Sequence, residues 1–142
     1  MFERDSWNAP IQKRGRYLVA MLPVVPDDDF QQLCNELVER VGKDRSYGVV
    51  VDVSGLDVID AFAARTLSTM AQMVQLRGAK PVIVGIQPEV ALTMVRQGLS
   101  FGRTATALNL EVGLSYLDTQ TGYSRSALAQ GVVASGGLGR MW

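Results

Sequence analysis

Residues Val49 to Leu67 read VVVDVSGLDVIDAFAARTL and combine three local patterns that together decide the fold. A run of apolar, mostly β-branched residues stops at Asp52, which is typical of a buried strand. Ser54 and Gly55 follow, and both residue types favour a turn. From Asp60 onward the apolar residues take helical spacing, and Asp60 is placed to cap that helix. The segment therefore predicts a strand, a loop and the start of a helix.

Strand and helix patterns alternate along the chain on both sides of this segment. Strand patterns cover residues 11–13, 17–25, 47–53, 80–85 and 105–108, and helix patterns cover 27–42, 61–77, 87–98 and 109–117. We expect Asp27 to Asp29 to cap the first helix and Gly42 to end it. The alternation predicts an α/β fold with a mostly parallel or mixed sheet of four to five strands and about four helices.

Composition predicts where the domain ends. At 142 residues the chain fits one domain, which we assign to residues 1–118. Residues 119–142 are rich in Gly, Ser, Ala, Gln and Thr and carry few charges. We expect them to form a flexible C-terminal tail.

Charge and hydropathy exclude several kinds of partner. The chain has 14 basic and 14 acidic residues, so neither nucleic acid nor an anionic membrane is the default partner. No apolar run approaches the roughly 20 residues of a membrane span. Glu3, Arg4 and Asp5 stand where a signal peptide would need apolar residues. These features predict a cytoplasmic protein.

The chain contains no histidine, and this absence removes most catalytic designs. Ser-His-Asp and Cys-His catalysis and the usual zinc sites all need that side chain. The single cysteine, Cys34, lies among apolar residues at helical spacing and is expected to be buried. No cofactor is implied. One enzyme hypothesis stays open, in which Asp52, Asp57 and Asp60 serve as magnesium ligands or acid–base groups.

Several motifs together resemble STAS domains, the anti-anti-sigma-factor family. They are Asp57 to Phe62 (DVIDAF), Val84 to Ala91 (VGIQPEVA), Gly98-Leu99 and Thr106 to Leu108 (TAL), and the resemblance extends over residues 11–117. The Gly-Ile-Gln-Pro segment is more typical of the RsbS-like scaffold proteins of bacterial stressosomes than of STAS domains in general. We therefore expect the STAS fold.

The resemblance implies a scaffold without enzymatic activity. RsbS-like proteins form a large shell with RsbR-like STAS proteins that carry a sensor, and the shell sequesters an RsbT-like serine kinase until scaffold subunits are phosphorylated. By this likeness we expect the chain to self-associate and to bind both partners. The residues implied in partner and kinase binding are Asp57, Asp60, Ala61, Phe62, Arg65, Gln87 and Glu89.

Ala61 departs from the family pattern, in which this position is the serine that the kinase phosphorylates. It is predicted to be the first residue of a helix, where free amides and the helix dipole favour an anion. A methyl group cannot accept phosphate. Either the chain is a natural member that does not use this site, or an engineered serine-to-alanine substitution locks the kinase-binding state; the intact surrounding motif favours the second.

Two further hypotheses follow from the same family likeness. Thr93 occupies a helical position where sensor-bearing relatives carry a threonine that can be modified, although a threonine on a half-exposed helix is the simpler interpretation. The alternative function is that of a monomeric anti-anti-sigma factor, which would bind an anti-sigma kinase directly through the same surface. Light scattering separates a monomer from a scaffold.

Overall fold

The computed structural model describes residues 10–122, which form five strands and four helices. The strands are β1 (Ile11–Arg14), β2 (Tyr17–Met21), β3 (Gly48–Asp52), β4 (Lys80–Val84) and β5 (Ala105–Ala107). The helices are α1 (Asp27–Asp44), α2 (Ala61–Leu76), α3 (Pro88–Arg96) and α4 (Leu110–Thr121). The strands lie in one mixed sheet in the order β1-β2-β3-β4-β5. The predicted α/β fold is confirmed.

Only β1 runs antiparallel to its neighbour, and β2 to β5 are parallel. Asp52 at the end of β3 is paired with Met21 of β2 and with Val84 of β4. The carboxyl ends of these three strands therefore meet at one edge of the sheet. Loops that follow parallel strands gather at such an edge, where α/β proteins place their binding sites.

Three helices cover one face of the sheet, and one helix covers the other face. Val49 and Val51 of β3 belong to the larger apolar cluster, to which α1, α2 and α3 contribute, and Val50 belongs to the smaller cluster formed with α4. Successive strand residues point to opposite faces. This double burial explains why the strand pattern is continuously apolar instead of alternating.

Helix α1 differs from its predicted ends at both termini. Pro26 is its N-cap residue and no side chain caps it, so the prediction that Asp27 to Asp29 supply a cap is wrong. These acidic residues lie in the first turn, where the helix dipole favours their charge. The helix also continues past Gly42 to Asp44, and Arg45 takes the left-handed conformation that ends it.

Helix α4 continues three residues beyond the predicted domain boundary at residue 118. It ends at Thr121, and Gly122 follows in the left-handed conformation with φ of 74°. The Tyr17 hydroxyl donates a hydrogen bond to Asp118 Oδ1 at 2.7 Å and lies 3.1 Å from the Thr121 hydroxyl. Contacts with β2 thus join the last turn of α4 to the sheet. The rest of the predicted tail, residues 123–142, lies outside the described residues.

Candidate functional site

The loop between β3 and α2 has a fixed backbone and an exposed outer side. Leu56 and Ile59 are buried in the larger core cluster. Asp57 and Val58 lie between these two anchors and are exposed, with 72% of Val58 accessible. The core therefore holds the loop at two points and presents the residues between them to solvent.

Helix α2 begins as the sequence predicts. Asp60 has an extended backbone, and its Oδ1 accepts a hydrogen bond from the Ala63 amide at 2.9 Å. Ala61 is then the first helical residue and is exposed. We call residues 57–65, from the exposed loop through the first turn of α2, the α2 entry surface.

A second carboxylate shapes the same loop from its other end. Asp52 Oδ1 accepts a hydrogen bond from the Ser54 amide at 2.9 Å, which closes the turn after β3. Gly85, in the loop that follows β4, has φ of 81°, and a Cβ atom there would lie 2.8 Å from Asp52 Oδ1. Only glycine fits this position, because the conformation is left-handed and the approach is too close for a side chain.

Gln87 connects the loop after β4 to the loop after β3. Its Nε2 donates hydrogen bonds to the Ser54 carbonyl at 2.8 Å and to the Leu56 carbonyl at 3.3 Å. Asp57 Oδ1 lies 3.5 Å away, at the limit of a hydrogen bond. Gln87, expected from the family likeness to contact a partner, therefore holds the entry loop in place. No local sequence signal gives this role, because the acceptors lie 33 and 31 residues earlier in the chain.

Phe62 and Arg65 lie on the first turns of α2 and differ in burial. Phe62 is half-buried and packs against the larger core cluster, whereas Arg65 is exposed. Both line a cavity of about 260 Å³ between α1 and α2, together with Gln31, Cys34, Asn35, Thr66, Thr69, Met70 and Met73. Within residues 10–122 no carboxylate forms an ion pair with Arg65. Arg65 is thus available to a partner.

An acidic, partly apolar groove of about 210 Å³ runs beside the α2 entry surface. It lies between the loop after β2 and the loop after β3, and the exposed side chains of Val24 and Val58 line it. The carboxylates of Asp27, Asp57 and Asp60 line it as well. The groove therefore suits a surface that combines basic and apolar side chains.

Glu89 and Thr93 lie apart from these contacts. Glu89 is exposed in the first turn of α3, and the Thr93 hydroxyl donates to the Glu89 backbone carbonyl at 3.0 Å. Thr93 is exposed. In the described part of the chain, no hydrogen bond or ion pair joins either side chain to the α2 entry surface.

Two of the three carboxylates in the enzyme hypothesis are bonded to backbone amides of the entry loop and of the helix start. Asp52 and Asp60 each accept a hydrogen bond from a backbone amide. Residues 10–122 contain no group of three acidic, histidine or cysteine side chains arranged to hold a metal ion. Cys34 is buried, and burial raises the pKa of its thiol to about 12, which leaves it protonated at neutral pH.

None of the helices in the described range is long and apolar enough to cross a membrane. The buried apolar residues of α1 and α2 lie on the faces that pack into the core.

Two curated proteins similar to this chain share the description RsbT co-antagonist protein. The RsbT co-antagonist protein RsbRA of Bacillus subtilis is 30% identical over 99 residues, which are 68% of this chain and 36% of that protein. The RsbT co-antagonist protein RsbRB of the same organism is 29% identical over 100 residues, with the same coverage. The chain thus spans about a third of the length of these relatives.

Solved structures extend the likeness to nearly the whole length of smaller proteins. A glutamate-substituted RsbS of Moorella thermoacetica is 34% identical with a TM-score of 0.70, covering 80% of this chain and 97% of that one. A chain from a structure of the stressosome, described as a signal integration and transduction hub, is 33% identical with a TM-score of 0.64, covering 78% and 97%. The family described as STAS domain matches residues 28–110. This chain belongs to the STAS domain family, within which it is similar to RsbS and to the RsbR proteins.

Proposed function

We propose that this chain is a non-enzymatic scaffold subunit of a stressosome-type complex, which assembles with RsbR-like STAS proteins and binds an RsbT-like serine kinase. The observation that carries the proposal is position 61, which is exposed, fixed by the Asp60 cap and flanked by the carboxylates of the entry loop. The similarity to RsbS over 97% of that protein supports the same assignment.

Phosphate at position 61 would change the charge of the α2 entry surface without refolding it. A phosphoserine carries roughly −1.5 to −2 charges near neutral pH. It would stand beside Asp60 and close in sequence to Asp57, which already make the neighbouring groove acidic. Ala61 cannot carry this charge, so the surface stays in the state that binds the kinase.

The kinase contact involves the α2 entry surface and the groove beside it. The groove offers three carboxylates and two exposed valines, Val24 and Val58, and Arg65 adds a cation one helical turn from Ala61. Interface arginines form defined, often bidentate contacts with carboxylates. We expect a kinase surface with basic and apolar groups over the groove and an acidic group near Arg65.

The variant Ala61→Ser tests this proposal directly. After incubation with an RsbT-like kinase and ATP, mass spectrometry should find one phosphate at position 61, and the phosphorylated variant should bind the kinase more weakly than the parent chain. Ala61→Glu should also weaken binding. Ser115→Glu, which adds a charge to exposed α4 on the opposite face, should leave binding unchanged. If the parent chain and unphosphorylated Ala61→Ser both fail to bind the kinase, the proposal is wrong.

Thr93 remains a proposed second acceptor. Its hydroxyl is exposed but bonded to the Glu89 carbonyl, so phosphorylation requires that bond to open. In the same mass-spectrometric experiment, Thr93→Ala serves as the control for peptide assignment. An unmodified Thr93 under conditions that phosphorylate Ala61→Ser would end this part of the proposal.

A further inference from the structure

The two edges of the sheet differ in how well they resist pairing with another strand. β1 carries Lys13 and Arg14, both exposed. Charged residues, lysine above all, protect an edge strand from pairing. β5 consists of Ala105, Thr106 and Ala107 and has no charged residue. The β5 edge has no such charges, and its length of three residues is its remaining protection.

The backbone of β5 presents hydrogen-bonding groups to its open side. The Gly85 amide donates to the Ala107 carbonyl at 3.4 Å, so the polar groups of Ala107 point toward the β4 side. Successive residues of a strand point their amide and carbonyl groups to alternate sides. Those of Thr106 therefore point away from β4, and Thr106 is exposed.

An apolar groove lies directly beside this edge. It has a volume of about 310 Å³ and is lined in part by Met94, Val95, Leu99, Phe101, Thr104 and Thr106. Val95 on the groove wall is 75% exposed, and Leu108, the residue after β5, is 78% exposed. Within residues 10–122, an apolar groove and a projecting leucine thus lie at the same sheet edge.

We propose that β5 pairs with β5 of a second copy of this chain, antiparallel and around a two-fold axis at Thr106. The two Thr106 residues exchange amide and carbonyl hydrogen bonds, and Leu108 of each copy lies opposite Thr104 of the other. Residues directly opposite each other on antiparallel strands share a face. Because Thr104 and Thr106 line the groove, each Leu108 enters the groove of the other copy.

The charges at the two ends of β5 fit this arrangement. In a register centred on Thr106, Arg103 lies opposite Asn109 of the other copy, and Glu111 follows two residues later in the first turn of α4. The two-fold axis brings two such arginine–glutamate pairs together. Neither Arg103 nor Glu111 forms an ion pair within residues 10–122. An isologous interface of this kind closes as a dimer and does not propagate.

This inference rests on the proposed scaffold function, for which it names a contact between subunits. The β5 edge lies two strands away from β3, about 10 Å in the hydrogen-bonding direction. Pairing through Thr106 and Leu108 and kinase binding through the α2 entry surface involve different residues. Experiments can therefore disprove the β5 pairing and the kinase binding separately.

Cysteine cross-linking tests the two-fold axis. Hydrogen-bonded residues directly opposite on antiparallel strands have Cα atoms about 5.5 Å apart, which is within the range that a disulfide spans. Under mild oxidation Thr106→Cys should form a covalent dimer through its new thiol, because Cys34 is buried. Thr119→Cys, on an exposed position of α4, is the matched control and should form no covalent dimer. Equal cross-linking of both variants, or of neither, would overturn the proposal.

Sedimentation equilibrium tests the groove and the charges. Leu108→Glu should raise the dimer dissociation constant about tenfold or more, because it removes an apolar anchor from the interface centre. Leu76→Glu, at a leucine that is 86% exposed on α2, should not. Arg103→Glu and Glu111→Arg should each weaken the dimer, and the double variant should restore it.

The outcomes separate this inference from the proposed function. A parent chain that stays monomeric, or a Leu108→Glu variant that dimerises as well as Leu76→Glu, contradicts the pairing even if the kinase still binds. A dimer that Leu108→Glu dissociates, in a chain that binds no kinase, supports the pairing and contradicts the proposed function.

Discussion

Asp60 and Gln87 hold the same loop from opposite sides. Asp60 accepts the Ala63 amide and so fixes where α2 starts, whereas Gln87 donates to the carbonyls of Ser54 and Leu56 and so fixes the path leading to it. Position 61 lies within the turn that the Asp60 cap closes, shortly after the last carbonyl that Gln87 holds. Its exposure is therefore a consequence of the surrounding hydrogen bonds as well as of its place at a helix start.

Replacing the cap should cost stability. Asp60→Ala removes the acceptor of the Ala63 amide, and losing such a cap costs about 1 kcal/mol. Asp60→Asn keeps an acceptor and should lose less. The measurement is the free energy of unfolding from urea titration, with Asp57→Ala as the control, because within residues 10–122 the Asp57 carboxylate accepts from no backbone amide. If Asp60→Ala and Asp57→Ala have equal stability, the cap contributes nothing.

Replacing the hydrogen-bond donor of Gln87 by an acceptor should loosen the loop between β3 and α2. Gln87→Glu has nearly the same shape but places an acceptor against the Ser54 and Leu56 carbonyls and near the Asp57 carboxylate. We expect faster amide hydrogen exchange across residues 54–59 with the global unfolding transition little changed. Gln97→Glu, at the end of α3, is the control. Unchanged exchange in the loop would show that Gln87 does not hold it.

Burial of Cys34 makes stability depend on pH in the alkaline range. Its pKa is raised from 9.0 to about 12 in the folded protein, so the folded state keeps a proton that the unfolded state loses. The stabilising contribution is complete below pH 9 and is lost as pH rises toward 12. Urea titrations at several alkaline pH values should therefore show a steeper loss of stability for the parent chain than for Cys34→Ala. If the stability of both proteins falls equally with pH, the raised pKa of Cys34 is contradicted.

At the scale of elements, the sequence predicted what depends on local pattern and missed what depends on distant contacts. The strand, loop and helix from Val49 to Leu67 are confirmed because their signals lie within the segment. The sequence predicts that Gly42 ends α1, but Gly42 instead gives room to the guanidinium of Arg77, the residue after α2. Contacts of Tyr17 with Asp118 and Thr121 extend α4, and the hydrogen bonds of Gln87 join two loops. None of these partners is close in sequence.

Two helical glycines make a matched test of helix packing. A Cβ atom on Gly113 of α4 would lie 2.7 Å from Val84 Cγ1 in the sheet, whereas one on Gly42 of α1 would meet only the movable end of Arg77. Overpacking costs about 1–3 kcal/mol, and replacing a helical glycine by alanine gains about 1 kcal/mol. Gly113→Ala should therefore destabilise the fold by about 1 kcal/mol, and Gly42→Ala should be neutral or stabilising.

Urea unfolding of these two variants measures the difference. Far-ultraviolet circular dichroism before the titration checks that both retain the helix content of the parent chain. A Gly113→Ala variant as stable as Gly42→Ala would mean that α4 can move away from the sheet, and the close packing of α4 would then be wrong.

At the scale of the whole molecule, the fold separates two surfaces. The α2 entry surface lies at the carboxyl end of β3, and the β5 edge with its groove lies on the border of the sheet. A scaffold needs both kinds of surface, because it must contact other subunits while it holds a kinase. In this chain the residues that form the two surfaces do not overlap.

Static light scattering of the purified chain, alone and mixed with an RsbR-like STAS protein, tests the scaffold claim most directly. We predict that the mixture gives a particle with a mass well above that of a one-to-one pair. When an RsbT-like kinase is added, it should elute with this particle in size-exclusion chromatography. If each protein keeps its own mass in the mixture and the chain binds a kinase only as a monomer, the scaffold is wrong and the chain acts as a simple anti-anti-sigma factor.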